Sequence, residues 1–289
     1  MIPADLEIIT PVSLQEALEL KDQYGSQLTT MAAGTDILVQ IRNGLLKPPR
    51  LMNILKLKSE IGVIKEELSA ILVGALTTHT EIENSRLIQT YAPALARGSA
   101  YLGSPQIRNR GTIGGNVCNA SPAGDTIAPL FVHNAEAIVL SKNHARVIPM
   151  SKLFAGPLEV DLKPEEILSH FRIPKEHGFQ WFLERLSQRK ALACNKVSVA
   201  GVLWIDGLKI AEIRLAFGSV SPIVRRAHKT EKILKSHDLS KESIEEAAKM
   251  ICTEVEPIDD FRSTKEYRRA MTGQLLKKSL RNLLKKTAN

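Results

Sequence analysis

Residues 110–125 read RGTIGGNVCNASPAGD, and this stretch decides how the rest of the chain is interpreted. The paired glycines Gly114 and Gly115 let a ligand approach the backbone closely, and hydroxyl and amide side chains flank them. Asn116 and Asp125 belong to a set of polar groups that is denser than a buried turn needs. The stretch therefore predicts a site that binds a polar, anionic ligand. We call residues 110–116 the second loop.

A similar run of small residues lies nearer the N-terminus, where residues 31–36 read MAAGTD. This first loop stands between a predicted strand, Leu28 to Ala32, and a helical pattern that begins at Ile37. Backbone N–H groups at such a junction favour phosphate binding. A plain strand-to-helix turn with Thr35 or Asp36 as N-cap explains the first loop equally well when it is taken alone. Neither loop matches GxGxxG or GxxxxGK[ST], which excludes the Rossmann and P-loop sites.

The pattern of strands and helices predicts an α+β chain in three parts. Residues 1–55 form a small β-α-β-type lobe, and residues 56–176 form a second lobe that mixes strands with short helices. Residues 177–289 begin with strands and end with helices, which predicts an antiparallel sheet covered by helices on one side. Asp206-Gly207 between two apolar runs is a strong hairpin signal. A Ser263…Glu266 capping box is expected to open the last helix.

Composition excludes several classes of protein. The 289 residues contain no apolar run near the roughly 20 residues that span a bilayer, and the first ten lack the pattern of a secretory signal, so we expect a cytoplasmic protein. The net charge is +8, but no nucleic-acid-binding motif accompanies it, and we expect no nucleic acid partner. Metal ligation is not expected either. The cysteines form no CxxC pair and the histidines no HxxxH pair. The residues considered as possible ligands are Cys118, Cys194, Cys252, His79, His133, His144 and His170.

Together, AAGTD at residues 32–36 and TIGGNVCNASPAGD at residues 112–125 resemble the FAD-binding subunits of the molybdenum hydroxylases, the class of xanthine dehydrogenase and carbon monoxide dehydrogenase. The resemblance continues through SPQIRN at residues 104–109, SQR at 187–189 and LAFG at 215–218, so it covers essentially the whole chain. It implies a two-lobed FAD-binding domain of the vanillyl-alcohol-oxidase or PCMH type, followed by a C-terminal α+β domain.

The resemblance also implies which residues hold FAD. Two segments would bind the diphosphate, and their residues are Thr29, Thr30, Met31, Ala32, Ala33, Gly34, Thr35 and Asp36 in one and Gly111, Thr112, Ile113, Gly114, Gly115 and Asn116 in the other. Ala33 stands where the family usually has glycine, which is tolerable only if its φ is negative. Valine at Gly114 or Gly115 would then abolish FAD binding and leave the fold largely intact.

The remaining contacts implied by the resemblance lie along the ribityl chain and the rings of FAD. Asp125 would accept a hydrogen bond from ribose or ribityl hydroxyls, and Leu102 and Leu168 would pack on the adenine and flavin regions. Arg185 stands where the family usually has a lysine beside the flavin, and Cys194 occupies a position that also lies near the ring. A cation at Arg185 would raise the flavin potential.

The implied function is that of a subunit. The family assembles with a small [2Fe–2S] subunit and a large molybdopterin subunit, and electrons reach FAD and then NAD or another acceptor. Molybdopterin and the clusters would lie on the partners, and the sequence shows no acid–base or nucleophile constellation of its own. Two alternatives stay open: a free-standing flavin oxidase or reductase of similar fold, and a basic binding module supported only by charge.

Overall fold

A computed structural model describes residues 6–189 and 192–287. Its first part contains β1 (Glu7–Ile9), α1 (Leu14–Tyr24), β2 (Leu28–Met31), α2 (Ile37–Arg42), β3 (Arg50–Asn53), α3 (Lys58–Ile61), β4 (Ile64–Glu66) and β5 (Ala70–Gly74). Short helices and strands follow: α4 (His79–Asn84), α5 (Arg86–Tyr91), α6 (Pro93–Tyr101), α7 (Pro105–Arg108), α8 (Ile113–Cys118), α9 (Ile127–Val132), β6 (Glu136–Leu140), β7 (Ala145–Pro149), β8 (Phe154–Gly156), β9 (Glu159–Val160) and β10 (Ile167–Pro174). The last part contains β11 (Gln180–Ser187), β12 (Asn195–Asp206), β13 (Lys209–Gly218), β14 (Arg225–Arg226), α10 (His228–Ser236), α11 (Lys241–Glu254) and α12 (Lys265–Thr287).

The N-terminal part is a three-stranded parallel sheet in the order β1-β3-β2. Helix α1 begins where the Ser13 hydroxyl accepts the Glu16 N–H at 3.2 Å, and it packs Ala17 and Leu18 into the core of this part. Parallel strands need crossover connections, which α1 and α2 supply here. The first loop therefore leaves the sheet at the carboxyl end of β2, where it is open to a neighbouring element.

The middle part is a five-stranded antiparallel sheet in the order β4-β5-β10-β6-β7. Helices α4, α5, α6, α8 and α9 contribute side chains to a continuous apolar core, which also contains the fully buried Phe171 of β10. Helix α4 begins with the capping box formed by Thr78 and Glu81. Residues Ile127–Val132, whose apolar run allows a helix or a strand, form a buried helix, α9.

The C-terminal sheet is antiparallel, with its strands in the order β11-β12-β13-β14. The hairpin between β12 and β13 turns at Gly207, which has φ +61°, as the Asp206-Gly207 signal predicts. Helices cover both of its faces, so the expectation of a single covered face was wrong. Ala200 and Val202 on β12 pack towards the middle part, whereas Val199 and Leu203 pack towards α10 to α12. A strand that is apolar at successive positions is buried on both sides.

The last helix also starts differently from the expectation. Thr264 supplies the cap, since its hydroxyl accepts the Tyr267 N–H at 3.3 Å, while Ser263 is bridged back to Asp260. The α+β class, with a C-terminal antiparallel sheet and helices, is confirmed. The boundaries at residues 55/56 and 176/177 stay a prediction. Within the described residues, no helix combines the length and apolar character that crossing a bilayer requires.

Candidate cofactor-binding site

A cavity of about 540 Å³ lies between the first and second loops. Its wall includes most of the predicted residues, namely Thr29, Thr30, Met31, Ala32, Ala33, Gly34, Thr35, Asp36, Leu102, Gly111, Thr112, Gly115 and Asn116. Two loops separated by some 75 positions in sequence thus meet, as two halves of one diphosphate site should. The first loop follows β2 directly, and the second loop is hydrogen-bonded to Ala75 and Thr77, which follow β5.

The first loop presents unused hydrogen-bond donors. Among the described residues, no acceptor is found for the backbone N–H groups of Ala33, Gly34, Thr35 and Asp36. Gly34 has φ +75°, a conformation that favours glycine, and Ala33 is not among the residues of positive φ. The alanine that replaces the family's glycine at residue 33 is therefore unstrained. The loop offers a row of N–H groups suited to an anion.

The second loop uses its donors within the protein. The N–H groups of Ile113 and Gly114 donate to the carbonyl oxygens of Thr77 (3.0 Å) and Ala75 (2.8 Å). Those of Gly115 and Asn116 donate to the hydroxyl and carbonyl oxygens of Thr112. The second loop therefore contributes a close-fitting wall, and its segment from 113 to 116 has its backbone N–H groups already engaged.

Ile113 and Gly114 do not line the cavity. Ile113 is fully buried in the core, and a Cβ on Gly114 would lie 2.7 Å from the Cβ of Ala75. The expectation that valine at Gly114 leaves the fold largely intact was wrong, because this glycine is where the second loop packs directly on the residue after β5. Gly115, whose added Cβ would meet only Thr112 Oγ1 at 3.1 Å, does face the cavity.

Asn116 keeps one polar group for a ligand. Its Oδ1 accepts the Thr126 hydroxyl at 2.6 Å, which orients the amide and leaves Nδ2 as a donor in the cavity wall. Asp36 is the one carboxylate among the described lining residues, and the Gln40 amide donates to it.

Asp125 and Arg185 meet each other outside the cavity wall. Arg185 Nη1 lies 3.3 Å from Asp125 Oδ1 and also donates to the Tyr101 carbonyl at 3.1 Å, with the guanidinium over the Tyr101 ring. Asn195 Nδ2 donates to the same Oδ1 at 2.7 Å. Burial raises the pKa of Asp125, while the bonds from Asn195 and Arg185 oppose that rise. The cluster joins the middle part to β11 and β12.

The other two predicted residues also lie away from the cavity wall. Leu168 is 5% exposed and belongs to the apolar core on β10. Cys194 is exposed just before β12, beside Arg262, whose raised pKa comes chiefly from Asp260. Lys190, which follows the SQR stretch at residues 187–189, lies outside the described residues.

Sequence reasoning missed part of the wall: Ile37, Gln40, Leu46, His79, Ile107, Cys118, Asn119 and Leu158. Cys118 and Asn119 lie inside the quoted motif and could have been included. Leu158, at the turn between β8 and β9, carries no local signal. His79 was considered only as a metal ligand. Among the described residues no cluster of three or more His, Cys, Asp or Glu could hold a metal ion.

The family described as the FAD binding domain in molybdopterin dehydrogenase matches residues 4–176, which is more than half of the chain. The chain belongs to that family. In the same flavoprotein, residues 184–283 match the CO dehydrogenase flavoprotein C-terminal domain.

Two relatives and one solved structure show how far the likeness extends. The carbon monoxide dehydrogenase medium chain of Hydrogenophaga pseudoflava is 30% identical, with 97% of each chain covered. The xanthine dehydrogenase FAD-binding subunit of Escherichia coli O157:H7 is 28% identical over 87% of each. A structure of the carbon monoxide dehydrogenase from H. pseudoflava lacking the Mo-pyranopterin moiety superposes with a TM-score of 0.92, at 30% identity and 96% coverage of both chains. The resemblance inferred from the motifs is confirmed, and so is the PCMH-type fold.

The cavity fits the diphosphate of FAD on its own chemistry. Unused N–H groups of the first loop face a wall built from glycines and from the Asn116 amide, and such donors replace the hydration of phosphate oxygens. The flavoprotein thus carries an FAD-binding domain whose donors match the cofactor.

Proposed function

We propose that this flavoprotein is the electron-transferring subunit of a molybdenum hydroxylase. It stands between [2Fe–2S] clusters on a small subunit and an acceptor such as NAD, with the molybdopterin on a large subunit. The observation that carries the proposal is the row of unused N–H groups at residues 33–36, facing the second loop across one cavity. Bound FAD supplies two-electron redox chemistry, which protein side chains do not provide.

Three groups of residues form the diphosphate end of the site. The N–H groups of Ala33 to Asp36 donate to the phosphate oxygens, and Asn116 Nδ2 adds a side-chain donor. Gly111, Thr112 and Gly115 form the wall that limits how deep the diphosphate sits. Leu102 packs against the adenine side.

At the flavin end, Arg185 and Asp125 act as a pair. Their separation of 3.3 Å makes the net charge of the pair small, so Arg185 holds Asp125 in place more than it changes the electrostatic potential at the ring. Asp125 keeps Oδ2 for a ribityl or ribose hydroxyl. Leu168 supports the flavin side from the core, and Cys194 borders the ring.

The likeness to subunits supports a role within a complex. The relatives carry the names medium chain and FAD-binding subunit, and they are covered over nearly their full length. Within the described lining residues, the ionisable groups are Asp36, His79 and Cys118, an arrangement without a nucleophile–base pair. Such a cavity binds and orients a cofactor rather than converting a substrate.

Affinity purification of the tagged chain from its native host tests the proposal. We expect about one FAD per chain, released by acid, together with co-purifying chains that carry molybdenum and iron. FAD without either metal would instead establish a free-standing flavin enzyme. Protein that neither contains nor takes up FAD would favour the remaining alternative, a basic binding module. Rapid-mixing reoxidation of the reduced complex with NAD then decides the acceptor.

A further inference from the structure

The cavity wall contains one side chain that can become cationic. Among the described lining residues there is neither lysine nor arginine, and His79 is the single histidine. A diphosphate that enters this cavity brings two negative charges into a space that already contains the Asp36 carboxylate. Backbone N–H groups offer partial positive charge only, so the electrostatics favour a proton on His79 when the site is filled.

His79 lies where the two loops meet. A methyl group added to Gly111 would stand 3.4 Å from Cδ2 of His79 and 3.6 Å from Oγ1 of Thr35. The imidazole edge, the second loop and the first loop thus converge on one point of the cavity. The His79 N–H donates to the Gly111 carbonyl at 3.1 Å, which fixes the residue against the second loop.

The imidazole has one hydrogen bond within the protein, to the Thr112 backbone, and one nitrogen without a partner. Nδ1 of His79 is buried and has no hydrogen-bond partner among the described residues, and the residue is 1% exposed. A buried polar atom without a partner carries a free-energy cost, which a function can account for. An anionic ligand that accepts a hydrogen bond from a protonated Nδ1 would remove this free-energy cost.

Charged groups on the surrounding elements define the electrostatic setting of the ring. They are Arg108 on α7, Glu81 and Glu83 on α4, Arg86 on α5, Arg97 on α6, Arg110 in the second loop and Asp36 at the end of the first loop. Arg108 is paired with Glu83 at 3.2 Å, and Glu81 with Lys58 at 2.7 Å. Burial, aided by Arg108 and opposed by the hydrogen bond to the Thr112 backbone, lowers the pKa of His79 to about 4. The ring is therefore neutral at neutral pH until an anion arrives.

The geometry points to His79 as a ligand of the FAD diphosphate that takes up a proton as the cofactor binds. This inference rests on the function proposed above, because it needs the diphosphate in this cavity. The diphosphate raises the pKa of His79 above its value in the free protein, so FAD affinity is greatest at low pH and falls as pH rises through the raised pKa.

Calorimetric titration of the full-length apo chain with FAD tests this, in two buffers of different ionisation enthalpy at about pH 6.5, near the ordinary pKa of histidine. We expect net proton uptake by the wild type, and none by His79→Gln, which can donate but cannot be charged. His79→Phe should raise the dissociation constant about tenfold at this pH and less above about pH 8. His170→Gln is the matched control, since His170 on β10 also has a pKa lowered by burial but does not line the cavity.

The wild-type measurement stands even if a variant fails to fold. FAD binding without proton uptake, and with an affinity that does not depend on pH, overturns the role of His79 and leaves the FAD site intact. Proton uptake that persists in His79→Gln overturns it as well. A chain that does not bind FAD at any pH contradicts the proposed function itself, so the two failures are distinguishable.

Discussion

The first and second loops have similar compositions and opposite uses of their backbone. In the first loop, the N–H groups of residues 33–36 have no acceptor among the described residues. In the second loop, those of residues 113–116 are bonded to Ala75, Thr77 and Thr112. The first loop is thus a set of donors, and the second is a wall that the protein has already bonded in place.

The difference shows that small residues serve two physical purposes. At Gly34 the absent side chain permits a positive φ and exposes donors to a ligand. At Gly114 it permits the loop to lie directly on Ala75, so that its position is fixed before any ligand binds. Asp125, further along the same motif, is likewise bound within the protein, by Arg185 and Asn195. A rigid wall opposite free donors is a preorganised site.

The largest effect is expected at Gly114. In Gly114→Val the added atoms overlap Ala75, so the free energy of unfolding should fall by about 3 kcal/mol and part of the protein should aggregate. Thermal and urea unfolding measure this. Gly115→Ala is the control, because its Cβ meets only Thr112 Oγ1 and should cost far less. A Gly114→Val protein of wild-type stability that merely loses FAD would contradict the structural role.

The second largest effect is expected for Arg185→Gln. Removing one partner of a nearly buried ion pair should cost about 3 kcal/mol at about pH 7.5, because Asp125 is left charged and desolvated. The folded-state pKa of Asp125 is already raised, and losing the cation raises it further. Its protonated form therefore stabilises the fold at low pH, and this stability is lost as pH rises through the folded pKa.

Urea unfolding at about pH 7.5 and about pH 4.5 checks the sign of this effect, with the larger loss expected at the higher pH. Adding Asp125→Asn to Arg185→Gln should restore part of the stability. Arg172→Gln is the control, since its pair with Glu67 is exposed, spans 3.8 Å and should contribute little. Equal losses from Arg185→Gln at both pH values would show that the charge of Asp125 is not the cause.

Gly34→Ala tests the donors of the first loop. Alanine at φ +75°, with its Cβ 2.7 Å from Leu38 Cδ1, should turn the neighbouring N–H groups and weaken FAD binding about tenfold. Fluorescence titration of the apo chain gives the dissociation constant. Gly44→Ala matches the strain, with φ +73° and open space around it, but lies outside the cavity wall and should leave FAD affinity unchanged. Equal FAD affinities in the two variants would move the diphosphate away from this loop.

The smallest effect concerns Cys118, at the end of the second motif. Burial raises the pKa of its thiol to about 12, so little reactive thiolate forms. A thiol reagent at about pH 8 should modify the exposed Cys194 within minutes and Cys118, which is half-buried in the cavity wall, far more slowly. Mass spectrometry of peptides after labelling distinguishes the two. Labelling of Cys118 as fast as that of Cys194 in the folded apo chain would contradict the raised pKa of the Cys118 thiol.

Local signals in the sequence predicted much of the structure. The Asp206-Gly207 hairpin and the two loops depend on residues within a few positions of one another. The motifs also carried the family and most of the residues around the diphosphate. The second covered face of the C-terminal sheet was not predicted, although β12 is apolar at successive positions, Val199–Ala200 and Val202–Leu203.

What the sequence by itself determined is the family, the α+β architecture and the presence of two backbone-rich loops. Only the tertiary structure decided which loop has donors to spare, because Ala75 and Thr77, which accept the N–H groups of the second loop, lie some 35 positions away. The same holds for His79 and Leu158, which reach the cavity through packing and not through any motif. A hydrogen-bond donor looks alike in every sequence, and whether it is free depends on which acceptor the fold brings within about 3 Å of it.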